Sequence, residues 1–284
     1  QRHSHREHQR GTPPPKSKLG RYILKEVVAA PVGLALAGLR AGAVAVTRDG
    51  HGIAEALVEQ LAAQGIDARL VGGTQSDLTG SKAVVFLGGL RAFGGDDDAA
   101  LAMLVDAFDA AQHVASQHGT AFVTVQDTGG DFGLTAAEQP YVGALAGLAK
   151  TADLEWPAVA VKAIDIACAN RDAATIARAI VAELLGGGPQ IEVGLHADGR
   201  RTTMISERVE LETSDAKPLP DGTVIVCTGG ARGVTAATLI ALAERCTDLR
   251  FALLGRTALA AEPTACHGVD GDADLKRALL MAAT

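Results

Sequence analysis

The chain has 284 residues, 48% hydrophobic, 21% charged and 3% aromatic, enough for one large domain or two ordinary ones with substantial cores. A formal net charge of −7 excludes a general nucleic-acid binder, which needs a basic face for phosphates. Four cysteines (Cys168, Cys227, Cys246, Cys266) without CxxC spacing point to a reducing compartment, the cytoplasm. No apolar run approaches the ~18 residues of a membrane span, and Gln1–Arg10 lacks the apolar stretch of a signal peptide.

In chain order, residues 1–18 contain Pro13-Pro14-Pro15 and read as a disordered linker. His3, His5 and His8 there have nothing ordered nearby to orient them as metal ligands. From Gly20 onward strands and helices alternate. Ala43–Val46 is expected as a strand. Ile53, Leu57, Val58 and Leu61 recur at helical spacing, with Gly65 placed to end that helix. Ala68–Val71 and Ala83–Leu87 read as buried strands. Asp96–Asp98 sit where a helix N-terminus favours negative charge, and Leu101, Leu104, Val105 and Phe108 give the following helix an apolar face. Then come a strand at Ala121–Val125, a helix at Tyr141–Glu155, a strand at Val159–Ile166 and a helix at Asp172–Leu185, stopped by Gly186-Gly187-Gly188. Ile191–Leu195 and Thr202–Ile205 look like strands.

This alternation predicts an α/β class, a Rossmann-like doubly wound parallel sheet over residues 19–211. Pro218 and Pro220 mark residues 212–221 as a linker. The pattern then restarts in 222–284 with strand Thr223–Cys227, a Gly-rich turn, helix Val234–Cys246 and strand Arg250–Leu254. A final helical segment carries Leu275, Leu279 and Leu280.

The sharpest signal is Thr228-Gly229-Gly230-Ala231-Arg232-Gly233-Val234 between an apolar strand and a helix. Glycines let the backbone turn tightly and approach a pyrophosphate, whose charge then meets free N–H groups at the helix start. The spacing departs from GxGxxG, and a plain tight turn is the competing reading. The next strand runs into Leu254-Gly255-Arg256, where an acidic residue would select NAD and an Arg accommodates a 2′-phosphate. Arg256, with Arg232 as a second charge, therefore favours NADPH.

Thr47-Arg48-Asp49-Gly50-His51-Gly52-Ile53 is a weaker echo of that turn, at the same place after the first strand. The likeness extends from Leu70-Val71-Gly72 to Leu253-Leu254-Gly255. Arg48 and Asp49 stand where the later copy has Gly229 and Gly230, so bulk and repulsion oppose a phosphate. Residues 19–211 then read as a degenerate first copy that has lost its nucleotide, followed by a truncated second copy. Two unrelated βαβ units are the alternative.

Three stretches carry a resemblance to a known family. They are Phe122-Val123-Thr124-Val125-Gln126-Asp127-Thr128-Gly129-Gly130-Asp131-Phe132-Gly133, Gly143–Thr151 with Glu155-Trp156-Pro157, and Thr228–Ala236 with Leu253–Thr257. In these the chain resembles the short-chain-dehydrogenase-type ketoreductase domain of modular polyketide and polyunsaturated fatty acid synthases, over roughly Leu19 to Thr284. The resemblance implies a cofactor-free structural subdomain followed by the start of an NADPH-binding catalytic subdomain. It implies a β-ketoacyl thioester on an acyl carrier protein as substrate, and neighbouring synthase domains as partners. Carried over by position, Gly229, Gly230 and Gly233 shape the phosphate turn, and Arg232 and Arg256 face the 2′-phosphate. Thr235 stands where many such reductases have a further glycine.

Reductases of this kind work through a Tyr and a Lys four apart on one helix, with a Ser. The chain has two tyrosines, Tyr22 and Tyr141, with Glu26 and Leu145 four residues on, so no catalytic residue is assigned. Asp127 and Thr128 stand where a working copy leads toward its Ser. Trp156 reads as a core anchor, and His51 and His113 as surface or core residues without metal partners. A non-catalytic scaffold or docking element of a synthase is the reading from another class.

Overall fold

The computed structural model describes residues 20–72, 75–135, 137–210, 219–230, 232–246, 248–256 and 261–282. The histidine cluster and proline run of 1–18, and Ala231, lie outside the described residues. The chain divides into two compact units, residues 1–210 and 211–284.

The first unit is built on eight strands: β1 (Arg21–Val28), β2 (Val44–Thr47), β3 (Ala68–Val71), β4 (Ala83–Gly89), β5 (Ala121–Gln126), β6 (Ala160–Ile166), β7 (Glu192–Leu195) and β8 (Arg201–Val209). They form one sheet in the order β1-β8-β7-β6-β5-β4-β2-β3. β2 through β7 pair in parallel, while β8 runs antiparallel to both β7 and β1. The helices are α1 (Ile53–Ala63), α2 (Gln75–Leu78), α3 (Asp97–Ser116), α4 (Ala144–Glu155) and α5 (Ala173–Gly186).

The central strands are apolar on both sides, and alternate residues feed two cores. Val85 and Ile164 pack with Leu57 and Leu61 of α1 and Ile176 and Ile180 of α5. Phe86 and Phe122 pack on the other face with Met103 of α3 and Leu145 of α4. Trp156 closes that second core edge-to-face on Phe122, with ring centroids 6.1 Å apart. Tyr141 is half-buried against Phe93, its hydroxyl bonded to Gln139 Oε1 at 3.1 Å. It lies in a short 3-10 turn (Pro140–Gly143) ahead of α4, so the helix begins three residues later than its sequence predicts.

Two further features differ from the sequence reading. The sheet is not parallel throughout, because the exposed strand β1, unannounced by any apolar run, zips onto a lengthened β8 from Arg21↔Val209 to Val28↔Thr202. The face of α3 that meets the sheet is Ala100, Met103, Ala107, Ala110, Ala111 and Val114. Leu101, Val105 and Phe108 lie on its outward side, more than half exposed. Alanines bring this helix close to the sheet, and periodicity alone does not tell which of two apolar rows faces in.

A buried ion triad ties the antiparallel edge to the parallel core. Glu183 of α5 receives Lys162 Nζ of β6 at 2.6 Å and Arg201 Nε of β8 at 2.6 Å. The remaining donors reach carbonyl oxygens: Lys162 Nζ that of Gln190, and Arg201 those of Ala29 and Gly187. Burial pulls the Lys162 ammonium below its ordinary value, against the pull of Glu183.

The second unit contains β9 (Val224–Thr228), α6 (Gly233–Arg245), β10 (Arg250–Leu254) and α7 (Asp272–Ala282). β9 and β10 pair in parallel from Val224↔Arg250 to Thr228↔Leu254. Val224, Val226, Ile240, Leu253 and Leu254 remain exposed, and α6 buries no residue.

Candidate nucleotide site

Open α/β sheets take ligands beyond the carboxyl ends of their strands, where the strand order reverses. In the first unit that point lies between β2 and β4. Beyond it is a cleft of about 590 Å³, lined by His51 and Ile53 at the start of α1, by Leu90 and Arg91 after β4, and by Asp127 and Thr128 after β5.

The cleft's anion position is taken by the chain itself. Asp49 is 2% exposed, and its carboxylate accepts hydrogen bonds from the backbone N–H groups of His51, Ile53 and Ala54 at 2.8, 3.3 and 2.8 Å. These are the donors a phosphate would use at a helix N-terminus. Gly50 and Gly52, with φ of 86° and 84°, let the loop curl back so that Asp49 reaches them. Arg48 turns away to Glu55, 2.8 Å distant.

The loop after β5 is closed in the same fashion. Asp165 of β6 accepts from Thr128 N–H and Phe132 N–H, both at 2.7 Å. Burial raises its carboxyl above the ordinary range, opposed by those N–H donors. Asp127 accepts from Gly129 N–H at 3.0 Å and Cys168 N–H at 3.2 Å, so both its oxygens hold loops in place. Burial, and then the Asp127 carboxylate, push the Cys168 thiol well above its ordinary value. Nothing in the sequence singled out Asp165; a lone acid inside the apolar strand Ala163-Ile164-Asp165-Ile166 was its only signal.

The second unit places its Gly-rich turn differently. Thr228 ends β9, and Gly229 turns with φ 71° while its N–H donates to Leu254 O at 2.8 Å. A Cβ on Gly230 would sit 2.7 Å from Leu253 Cδ2 and 3.0 Å from Leu239 Cδ1, so a larger residue there would have to displace those two side chains. Gly233 has φ 61° and open space around its Cβ position. Arg232 stands at the N-cap of α6, in extended conformation, and among the described residues no side chain caps the helix. α3 and α5, by contrast, are capped by Asp96 and Asp172. Val234 is exposed on the first turn of α6. The pairing of Thr228 with Leu254 aligns the two strand ends, so the turn and the Gly255-Arg256 segment leave the sheet on one side. Arg256 is exposed there. Uncapped helix donors, an unobstructed glycine turn and an exposed Arg at the next strand end fit a phosphate-bearing nucleotide.

No family model matches the chain. Over 169 residues, 58% of its length, it is 32% identical to a polyunsaturated fatty acid synthase subunit of Thraustochytrium sp., and it spans 6% of that protein. Solved structures that resemble it include the adenylation, ketoreductase and pseudo-Asub multidomain structure of a keto acid-selecting NRPS module, with a TM-score of 0.61 and 17% identity over 92% of this chain and 24% of that one. An A-type ketoreductase from a modular polyketide synthase matches with a TM-score of 0.56 and 21% identity, over 91% of this chain and 57% of that one. An N-terminal ketoreductase from the macrolactin assembly line matches with a TM-score of 0.56 and 14% identity, over 93% of this chain and 56% of that one. The chain thus has the Rossmann-like α/β fold of synthase ketoreductase domains, and more than half of it aligns in sequence with part of a polyunsaturated fatty acid synthase.

Proposed function

We propose that the chain is the structural subdomain and the first part of the NADPH-binding subdomain of a β-ketoacyl-[acyl-carrier-protein] reductase within a fatty acid or polyketide synthase. One observation carries this reading. Two strand–turn–helix–strand units share a sequence echo, and the first fills its anion position with its own Asp49, whereas the second leaves the start of α6 uncapped. A chain with one nucleotide has use for that asymmetry.

In this reading Thr228, Gly229, Gly230, Ala231, Arg232, Gly233 and Val234 hold the pyrophosphate, and Arg256 the 2′-phosphate, with Arg232 adding charge. Bound NADPH supplies the hydride that turns a β-keto thioester into a β-hydroxy one. The first unit serves as scaffold, and the neighbouring synthase domains deliver the substrate on a carrier arm. None of the chain's own residues stands as the proton donor. The deciding experiment is intact mass and peptide sequencing of the native gene product. A continuation past Thr284 with a Tyr-x-x-x-Lys pair within ~150 residues, the size such a fold needs, supports the reading. A product that ends at Thr284 overturns it.

A further inference from the structure

The cleft beyond the strand ends of the first unit has lost its phosphate position to Asp49 but not its space. At about 590 Å³ it lies within the roughly 300–1,000 Å³ range of small-ligand sites. Its floor is apolar: Ile53 of α1, Leu90 after β4 and Ile176 of α5 belong to the first core and are buried. Ala173 and the exposed Ala169 continue that surface outwards. Two guanidinium groups line the same cleft, and the protein uses them unequally. Arg91 is committed, with Nη1 on Asp106 at 3.2 Å and Nε donating to the Arg48 carbonyl at 3.2 Å. Half-buried Arg171 donates from Nη1 to the Ala167 carbonyl at 2.9 Å, and among the described residues no carboxylate pairs with it. Its remaining donors form a planar fork beside an apolar floor, which suits a carboxylate that carries an apolar body.

We infer that the cleft binds a small monocarboxylate with an apolar tail, the carboxylate on Arg171 and the tail over Ile53, Leu90 and Ile176. Phosphate is the poorer occupant. The N–H donors at the start of α1 are taken by Asp49, and at the start of α5 the Asp172 carboxylate accepts from Thr175 N–H at 2.8 Å. Asp127 and Glu138 also line the cleft, and a dianion meets about twice the repulsion from them that a monoanion does. Every residue involved belongs to the first unit, so this site and the nucleotide turn of the second unit stand or fall separately.

The test is isothermal titration calorimetry of the whole chain with sodium octanoate below its micellar range, with 1-octanol and inorganic phosphate as comparison probes. The expected result is one octanoate per chain, bound about tenfold or more tightly than octanol, and no heat from phosphate. Arg171→Gln should weaken octanoate by about tenfold or more. Ala169→Glu, which sets a carboxylate in the cleft, should do the same. Arg178→Gln, on the exposed side of α5, should leave binding unchanged. Ala169 and Arg178 are exposed, so their replacement spares the fold, and circular dichroism checks all three variants. Absence of octanoate binding overturns the inference, as does binding that survives either Arg171→Gln or Ala169→Glu, or is lost in Arg178→Gln. Octanol binding as tightly as octanoate overturns it too, since the apolar surface alone would then be the receptor, and so does phosphate binding in preference to octanoate.

Discussion

Replacing Asp49 by Ala tests whether a carboxylate stands in for a phosphate. The substitution strips three N–H groups of their acceptor, and two of them, on Ile53 and Ala54, belong to buried residues. Losing an N-cap acceptor costs about 0.5–2 kcal/mol, and a charge-assisted bond to buried donors costs more. Water entering from the cleft recovers part of that, which leaves a loss of about 3 kcal/mol. Trp156, the chain's single tryptophan, sits in the first unit against Phe122 and reports its unfolding in urea. With a slope of about 2 kcal/mol per molar, the midpoint falls by about 1.5 M. The vacated donors should then accept an anion from solution. Inorganic phosphate at about 100 times its dissociation constant returns about 2.7 kcal/mol to the variant and nothing to the parent. Asp49→Asn, which keeps one acceptor oxygen, falls between the two. A variant within about 0.5 kcal/mol of the parent, or one indifferent to phosphate, would refute the idea that the carboxylate occupies an anion site.

On the native gene product, Arg256→Ala should erase a preference for NADPH over NADH of about tenfold, read by nicotinamide fluorescence; an unchanged preference removes Arg256 from the site. Glu183→Ala leaves Lys162 and Arg201 buried without their shared partner, so urea unfolding should show a loss of about 3–5 kcal/mol, against less than about 2 for Lys162→Met, which spares the Arg201 pair. Gly130→Ala combines a φ of 75° with a Cβ placed 2.6 Å from Leu195 O and 2.9 Å from Ala167 N, backbone atoms that do not yield; a thermal scan should register a loss of about 3 kcal/mol. Burial would raise the Asp131 carboxyl, but the hydroxyl and N–H of Thr135 and the N–H of Gly133 hold it below the ordinary 3.8. A depressed carboxyl contributes stability that is complete above its unfolded value and lost as pH falls through its folded one. Asp131→Asn should therefore flatten the acid limb of the stability curve below about pH 4, and an unaltered limb would count against this linkage.

The strand–helix alternation was legible because the central strands are buried on both faces and read as short, mainly apolar runs. β4 and β5 show this, with every residue buried from Ala83 to Leu87 and from Ala121 to Gln126. β1 was not legible. Its stability comes from pairing with β8, far along the chain, and its exposed residues mix Tyr22 and Leu24 with Arg21 and Lys25. In the site, glycine spacing located both turns, and the bulk of Arg48 and the charge of Asp49 marked the first as closed to phosphate. What the sequence did not convey is that Asp49 supplies the missing anion, since that depends on two left-handed glycines curling the loop onto the helix start. The outward turn of Leu101, Val105 and Phe108 was hidden for a related reason. α3 has two apolar rows, and only the sheet's demand for small side chains at close range decides between them.

The pairing of Arg21 with Val209 puts the points where the chain enters and leaves the eight-stranded sheet on adjacent strands, about 5 Å apart. The first unit's sheet is thus entered and left at one corner. Tension along the polypeptide is delivered to the ends of β1 and β8 at that corner. It peels them apart one residue pair at a time, a far weaker mode than sliding eight paired residues at once. The peel must part Lys25 from Glu207 and Glu26 from His196 before it reaches Thr202 and Val28, beside the Arg201 side chain that grips Ala29 O and Glu183, and there it should stall.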